Sequence, residues 1–167
     1  MLICPVISFS QTITTIAGTG SSGYDDDGIA ATNSTLNRPL CLAVDESGNI
    51  IFTDLGNNTI YKITDNGTLQ IVAGKREGHQ YDPGTGYNGD SGPATNAVVW
   101  KPWNIIAAPG GSIYFGDYEN RVIREIRDGR IRTIAGFPQK GGHPGKGGNR
   151  PSENIVHQHA SMEQPVT

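Results

Sequence analysis

Cysteine, net charge and long hydrophobic runs are all scarce in this sequence. Its 167 residues include only two cysteines, whereas small secreted domains that depend on disulfides have more. The formal net charge is −3 and the basic residues are scattered, so no basic patch of the kind that binds nucleic acid is present. No apolar run approaches the ~20 residues of a transmembrane helix. The sequence therefore predicts no nucleic-acid partner and no membrane span.

Glycine and proline, in contrast, are abundant. The chain has 23 glycines and 10 prolines, and they separate short apolar runs. This pattern is typical of many short strands joined by turns, and no long stretch has helical periodicity. An all-β fold is expected. Cys41 falls in one of the predicted strands and is expected to be a small buried hydrophobe.

The N-terminal residues and three tripeptides suggest secretion. Residues 2–7 are apolar and residues 8–10 follow a small-x-small cleavage pattern, but no basic segment precedes them. Residues 1–10 are interpreted as the remnant of a signal peptide. Candidate N-glycosylation sites are Asn33, Asn57 and Asn66, each of which begins an Asn-x-Ser/Thr sequon. An extracellular location is the prediction.

An internal repeat is the strongest signal in the chain. Residues 23–39 align with residues 86–102 without a gap, at an offset of 63 residues, and the match continues beyond them. Identical residues at aligned positions include Asp27/Asp90, Asp54/Asp117, Asn57/Asn120 and Ile60/Ile123. The two copies are therefore expected to fold in the same way.

Each copy contains four short strand-like runs separated by turn residues. In the first copy these predicted strands are Leu40–Val44, Ile50–Thr53, Thr59–Thr64 and Thr68–Ala73. In the second copy they are Trp103–Ala107, Ser112–Gly116, Arg121–Arg127 and Arg130–Ala135. Asn-Gly and Asp-Gly pairs between runs favour tight hairpins, because both central positions need a positive φ. Four antiparallel strands per repeat form one blade of a propeller.

The repeat resembles a known family. The stretch G-Y-N-G-D-S-G-P-A-T-N-A, a following proline, L-A-V-D-E-S-G-N-I-I-F-T-D-L-G-N-N-T-I-Y-K-I and I-V-A-G are similar to NHL repeats, over about residues 12–136. The resemblance implies a β-propeller, usually six-bladed, that acts mostly as a binding platform. Residues 11–167 are then a partial propeller, with one blade at about 39–74 and a second at about 102–136.

Both ends of the chain repeat parts of a blade. Residues 12–17 match only the last strand of a blade, and such a strand would complete the final blade of a closed ring. Residues 162–166 repeat 99–103, so a third blade is predicted to begin at about 162–167. Since each blade buries its faces against its neighbours, two blades alone would leave two apolar faces open. The remaining blades would come from a longer chain or from self-association.

Several motifs suggest chemistry that their context does not support. Residues 18–23 fit a dinucleotide fingerprint, but no helix follows them and the pattern recurs with the repeat. Residues 89–93 resemble the serine motif of trypsin-like proteases without a matching histidine segment. The acidic residues 25–27 lack the spacing and the distant glutamate of an EF-hand, although a weak surface cation is an alternative. The histidines at 143, 157 and 159 lie in a degenerate loop without cysteine or a matched acid.

Two sets of residues are the candidates for structural and binding roles. Asp54, Asn57, Asp117 and Asn120 are predicted to cap the turns between the second and third strands. Because strands alternate direction, these turns and the Gly-rich connections should emerge on one face. The candidate binding residues on that face are Tyr24, Asp27, Asn58, Tyr87, Asp90 and Tyr118.

The favoured hypothesis is a binding module that recognises a protein or a glycan through this loop face, with no cofactor and no catalytic residue. The alternative is a fragment of a propeller enzyme, amidating-lyase-like or gluconolactonase-like, with a metal in the central channel. Only Asn104 on the predicted inner strands could serve as such a ligand. RNA binding, known for some NHL propellers, is disfavoured by the acidic loops.

Overall fold

The chain folds into two four-stranded antiparallel sheets, as seen in a computed structural model that describes residues 12–25, 27–74 and 87–138. The first sheet contains β1 (Pro39–Val44), β2 (Ile50–Asp54), β3 (Thr59–Ile63) and β4 (Leu69–Ala73) in sequential order. The second contains β5 (Pro102–Ala107), β6 (Ile113–Asp117), β7 (Val122–Arg127) and β8 (Arg130–Gly136) in the same order. Every strand end lies within one residue of its predicted position. The predicted signal-peptide remnant at 1–10 and the third-repeat start at 162–167 fall outside the described residues.

The pairing register is the same in both sheets. Pro39 pairs with Asp54 in the first sheet and Pro102 with Asp117 in the second, and an irregularity follows each proline. Proline is suited to the first position of a strand because it has no N–H to contribute to the ladder. The first strand of each sheet, β1 or β5, is here called its inner strand. It therefore begins opposite the aspartate that ends the second strand, β2 or β6.

A segment that precedes each sheet, here called its lead-in (residues 18–38 and 87–101), covers one face of that sheet. Each contains a 3₁₀ turn, Ala31–Asn33 or Ala94–Asn96. Each also forms an isolated antiparallel β-bridge with the hairpin of the last two strands of its sheet, Ala30 with Thr68 and Pro93 with Arg130. We call the covered face the front of the sheet and the opposite face its rear.

The main core lies between the rear of the first sheet and the front of the second. It is formed by buried residues from both sheets and from the second lead-in: Ile51, Ile60, Ala73, Ala94, Ala97, Val99, Ile105, Phe115, Ile126 and Ile131. A second cluster lies under the first lead-in, on the front of the first sheet, and includes Ala31, Phe52, Tyr61, Ile63 and Leu69. Apolar side chains remain exposed on the rear of the second sheet, at Ile106, Ile123 and Ile134. On the first sheet Leu42 and Val44 are exposed, on the first strand beside the face that the first lead-in covers.

Residues 12–17 form no strand among the described residues, but the final blade that they are predicted to complete is not among those residues, so that expectation stays a prediction. One local expectation is wrong. Cys41 is half-buried rather than buried, since it lies at the edge of the core with its Sγ 3.5 Å from Asn104 Oδ1. No helix in the described part of the chain is long and apolar enough to cross a membrane.

The sheet-to-sheet core supplies a matched pair of stability tests. Ile105 and Leu42 occupy equivalent positions of the repeat, but Ile105 is 7% exposed and Leu42 is 64% exposed. We expect Ile105→Ala to lower the free energy of unfolding by about 2–4 kcal/mol through lost burial and a cavity. Leu42→Ala should change it by less than about 1 kcal/mol. Chemical denaturation measures both, and equal effects would contradict the assignment of the core.

Candidate functional site

The turns β2–β3 and β6–β7, together with the ends of both lead-ins, form one surface, which we call the turn face. Backbone hydrogen bonds hold each turn to a lead-in: Gly56 N–H donates to Asn37 O at 2.7 Å, and Glu119 N–H donates to Trp100 O at 3.2 Å. The turn face is therefore built on fixed backbone rather than on free loops.

A buried aspartate lies beneath each turn. Asp54 accepts hydrogen bonds from Asn37 N–H at 2.8 Å and from the Asn57 amide at 3.0 Å. Asp117 accepts equivalent bonds from Trp100 N–H at 2.8 Å and from Asn120 Nδ2 at 2.9 Å. Both aspartates are fully buried. Each carboxylate thus joins a strand end, a turn and a lead-in at one point.

Burial dominates the ionisation of both aspartates. Desolvation raises the pKa of Asp54 to about 6, although hydrogen bonds from Asn37 and Asn57 oppose it. Desolvation also raises the pKa of Asp117 to about 6, against the hydrogen bond from Asn120 and the positive charge of Arg124. All the donors around these carboxyls suit the ionised form, which is the form present at neutral pH.

Asn57 does not suit its second predicted role as a glycosylation acceptor. Its Nδ2 is buried and donates to Gly23 O at 2.7 Å as well as to Asp54. The nitrogen that a glycan would modify is therefore occupied in the folded chain. Asn33 and Asn66 are exposed, and their glycosylation remains a prediction.

Asp27 and Asp90 do not lie on the turn face where the sequence analysis placed them. Asp27 Oδ1 accepts from Ile71 N–H at 2.6 Å, and Asp90 Oδ2 accepts from Thr133 N–H at 2.9 Å. Their carboxylates bind the backbone of the outer strands β4 and β8. The lead-ins run down these outer edges before they return to the turn face, which the repeat alone did not reveal.

Arg124 is a residue that the sequence analysis missed. It is fully buried on the front of the second sheet, at the position of Tyr61 in the first. Its guanidinium donates to Asp90 Oδ1 at 2.8 Å and to Asp117 Oδ2 at 3.2 Å. It also donates to the carbonyl oxygens of Asn88 and Val98, each at 2.9 Å. The signal that could have found it is an arginine at a strand position where the other copy has an inward-facing aromatic residue.

The remaining candidate residues also make internal contacts. The Tyr87 ring lies 4.9 Å from the Arg124 guanidinium, and its hydroxyl contacts Asp90 and Thr133. Tyr24 is half-buried, with its ring 6.4 Å from that of Tyr61. Asn58 Oδ1 accepts from Lys101 N–H at 2.8 Å and so links the first sheet to the second lead-in.

Tyr118 alone among the six predicted binding residues presents most of its side chain on the turn face. It is 59% exposed, and its ring lies 5.3 Å from that of Trp103, which is 43% exposed. Leu40, the equivalent of Trp103 in the first sheet, is 44% exposed although a second sheet is packed beside it. The position of Trp103 thus keeps its exposure in the first sheet, whereas Leu55, the equivalent of Tyr118, is half-buried there. Trp103 and Tyr118 form the exposed aromatic pair of the turn face.

The described residues offer little to a metal ion. No three histidine, cysteine, aspartate or glutamate side chains cluster within residues 12–25, 27–74 and 87–138. Asn104, the candidate ligand on an inner strand, is exposed, and the Cys41 Sγ lies 3.5 Å from its Oδ1.

The fold and the turn face define a β-propeller-like repeat protein of two antiparallel sheets. No family model matches the chain. Residue for residue, it is 30% identical to Teneurin-1 of mouse and of human over 102 residues, which is 58% of this chain and 4% of those proteins. The chain thus spans a small fraction of the curated relatives it matches.

Solved structures with a similar fold are propeller-like proteins. A protein of unknown function from Bacteroides thetaiotaomicron has a TM-score of 0.50 and 20% identity, over 71% of this chain and 26% of that one. Virginiamycin B lyase from Staphylococcus aureus has a TM-score of 0.41 and 28% identity, over 62% of this chain and 28% of that one.

The raised pKa of Asp54 gives a pH dependence with a defined sign. Between the ordinary value of 3.8 and about 6, the folded chain retains a proton that the unfolded chain has released, so stability falls as pH rises. A shift of this size corresponds to roughly 2–3 kcal/mol. Asp54→Asn should roughly halve the decline in unfolding free energy between about pH 4 and pH 6, measured by denaturant titration, because Asp117 contributes in the same range. Asp128→Asn, at an exposed carboxyl, should keep the wild-type slope, and an unchanged slope in Asp54→Asn would refute the account.

Arg124 supplies a test of the buried charge network. Arg124→Met leaves Asp117 buried without its cation, so we expect the free energy of unfolding to fall by about 3–5 kcal/mol. The control is Arg127→Met, on the same strand but exposed, which should cost less than about 0.5 kcal/mol. A similar, small loss in both variants would show that Arg124 does not hold the second lead-in.

Proposed function

We propose that this chain is part of an NHL-type propeller of six blades that binds an extracellular protein or glycan through its turn face. The observation that supports this most directly is the exposed pair of Trp103 and Tyr118. Half-exposed aromatic rings on rigid backbone are frequent anchors of protein interfaces, because they contribute large apolar area with little loss of side-chain entropy. Their flat faces also suit the apolar face of a sugar ring.

The support beneath the pair favours binding without rearrangement. Tyr118 follows Asp117, and Tyr118 N–H donates to Lys101 O. Asp117 in turn is held by Asn120, Trp100 and Arg124. A site on such a fixed turn loses little conformational freedom when a ligand binds.

Charged groups beside the pair add specificity. Lys101 Nζ lies 2.5 Å from Glu119 Oε1, and Lys101 is partly exposed in this ion pair. A ligand with polar groups flanking an apolar surface would meet both the rings and this pair. The enzyme alternative has less support, because the inner strands β1 and β5 offer mainly apolar side chains and Asn104.

Trp103 can report on binding directly. Trp100 and Trp103 are the two tryptophans of the chain, so Trp100→Phe leaves Trp103 as the single fluorophore. We expect at least one member of a glycan panel or a panel of extracellular proteins to change Trp103 emission saturably. Trp103→Ala with Tyr118→Ala, assayed by immobilised-ligand binding, should weaken that affinity by about 10-fold or more.

The repeat provides the control. Leu40→Ala with Leu55→Ala changes the equivalent positions of the first sheet and should leave the affinity within about 3-fold of the parent chain. If no panel member changes Trp103 emission, or if both double variants bind as the parent does, the turn face is not the binding surface.

A further inference from the structure

Equivalent residues on the rear faces of the two sheets differ sharply in exposure. Ile60 in the first sheet is 0% exposed, whereas Ile123, its counterpart in the second, is 48% exposed. Ala73 and Gly74 are buried, whereas their counterparts Ala135 and Gly136 are exposed. The rear of the second sheet therefore has the composition of a covered face, without a cover among the described residues.

The cover of the first sheet is the second lead-in. Ala97 and Val99 are buried against that face, and Gly74 N–H donates to Ala94 O at 3.2 Å. Two further bonds fix the end of the lead-in: Lys101 N–H to Asn58 Oδ1, and Thr53 Oγ1 to Trp103 O at 3.1 Å. The rear of the first sheet thus binds a short segment that has small or apolar residues at two alternate positions, Ala97 and Val99.

The rear edge of the second sheet is built in the same way. A Cβ atom on Gly74 would lie 2.5 Å from Asn58 O, and one on Gly136 would lie 2.5 Å from Arg121 O. Asn58 and Arg121 also share a left-handed backbone, with φ of 53° and 57°. Beside Gly136 lies a shallow depression of about 460 Å³, lined by Arg121, Ile123 and Ala135 and also by Trp103 and Tyr118.

The C-terminal part of the chain contains a matching segment. At an offset of 63 residues, Ala160 corresponds to Ala97, Met162 to Val99 and Pro165 to Pro102. Ala97 follows Gly74 by 23 residues and Ala160 follows Gly136 by 24, so the connections to the two faces differ in length by one residue.

We propose that residues 160–166 dock on the rear face of the second sheet, as residues 97–103 dock on the first. Met162 then covers Ile123 and Ala135, and Gln164 lies beside Arg121 in the place that Lys101 has beside Asn58. Trp103 and Tyr118 line the same depression, so the docked segment lies beside the exposed aromatic pair.

Disulfide trapping tests the contact. In a Cys4→Ser, Cys41→Ala background, Asn58→Cys with Lys101→Cys is the positive control, because the two residues are already hydrogen-bonded. We expect Arg121→Cys with Gln164→Cys to cross-link under mild oxidation within one molecule, at a rate close to that of the positive control and independent of protein concentration. Arg121→Cys with Gln158→Cys should not, since Gln158 corresponds to the exposed Thr95. Absence of the cross-link, or its formation only between molecules, would overturn the proposal.

A stability comparison gives a second, independent outcome. Met162→Asp places a charge where the proposal buries a methionine, so the denaturation midpoint should fall. Gln158→Asp should leave the midpoint unchanged. Equal midpoints for the two variants would show that residues 160–166 do not cover the sheet.

Discussion

A buried carboxylate at the end of the second strand organises each sheet. Asp54 and Asp117 each join the strand end to the following turn and to the incoming lead-in. The proline opposite each aspartate then begins the inner strand at a defined point. Because the lead-in also covers the adjacent sheet, the same carboxylate sets how one sheet is placed against the next. The cost of burying it is visible in the raised pKa of both side chains.

The two copies use this carboxylate with different partners. In the first sheet the neighbouring inward position is Tyr61, which packs against Phe52 with ring centroids 5.6 Å apart. In the second it is Arg124, whose cation binds Asp117 and Asp90 together. A buried ion pair adds little net stability over an apolar core, but it penalises any arrangement that separates the charges. We infer that Arg124 acts mainly to hold the second lead-in in one register, and that the exposed aromatic pair depends on it for its rigidity.

Much of the fold could be predicted because each sequence pattern that indicates a strand or a turn occurs in both copies of the repeat. Strand ends, hairpin turns and the role of Asp54 and Asp117 all recur in both copies, and their chemistry is local. The paths of the lead-ins could not be predicted, because Asp27 and Asp90 bind outer strands that lie more than 40 residues away in sequence. Asn57 was ambiguous for a related reason: a sequon specifies chemistry, whereas burial by Gly23 and Asp54 decides access. Trp103 was placed on a strand, and only the packing showed its ring exposed beside Tyr118.

The central claim is that the buried aspartates hold the lead-ins as firmly as the sheets hold their own strands. Amide hydrogen exchange measured by NMR at Asn37 and Trp100 tests it most directly, since these two N–H groups donate to Asp54 and Asp117. The account predicts that both amides exchange as slowly as those in the central strands β2 and β6, through global unfolding. Exchange as fast as that of the exposed β1–β2 turn would contradict it, because the lead-ins would then open independently of the sheets.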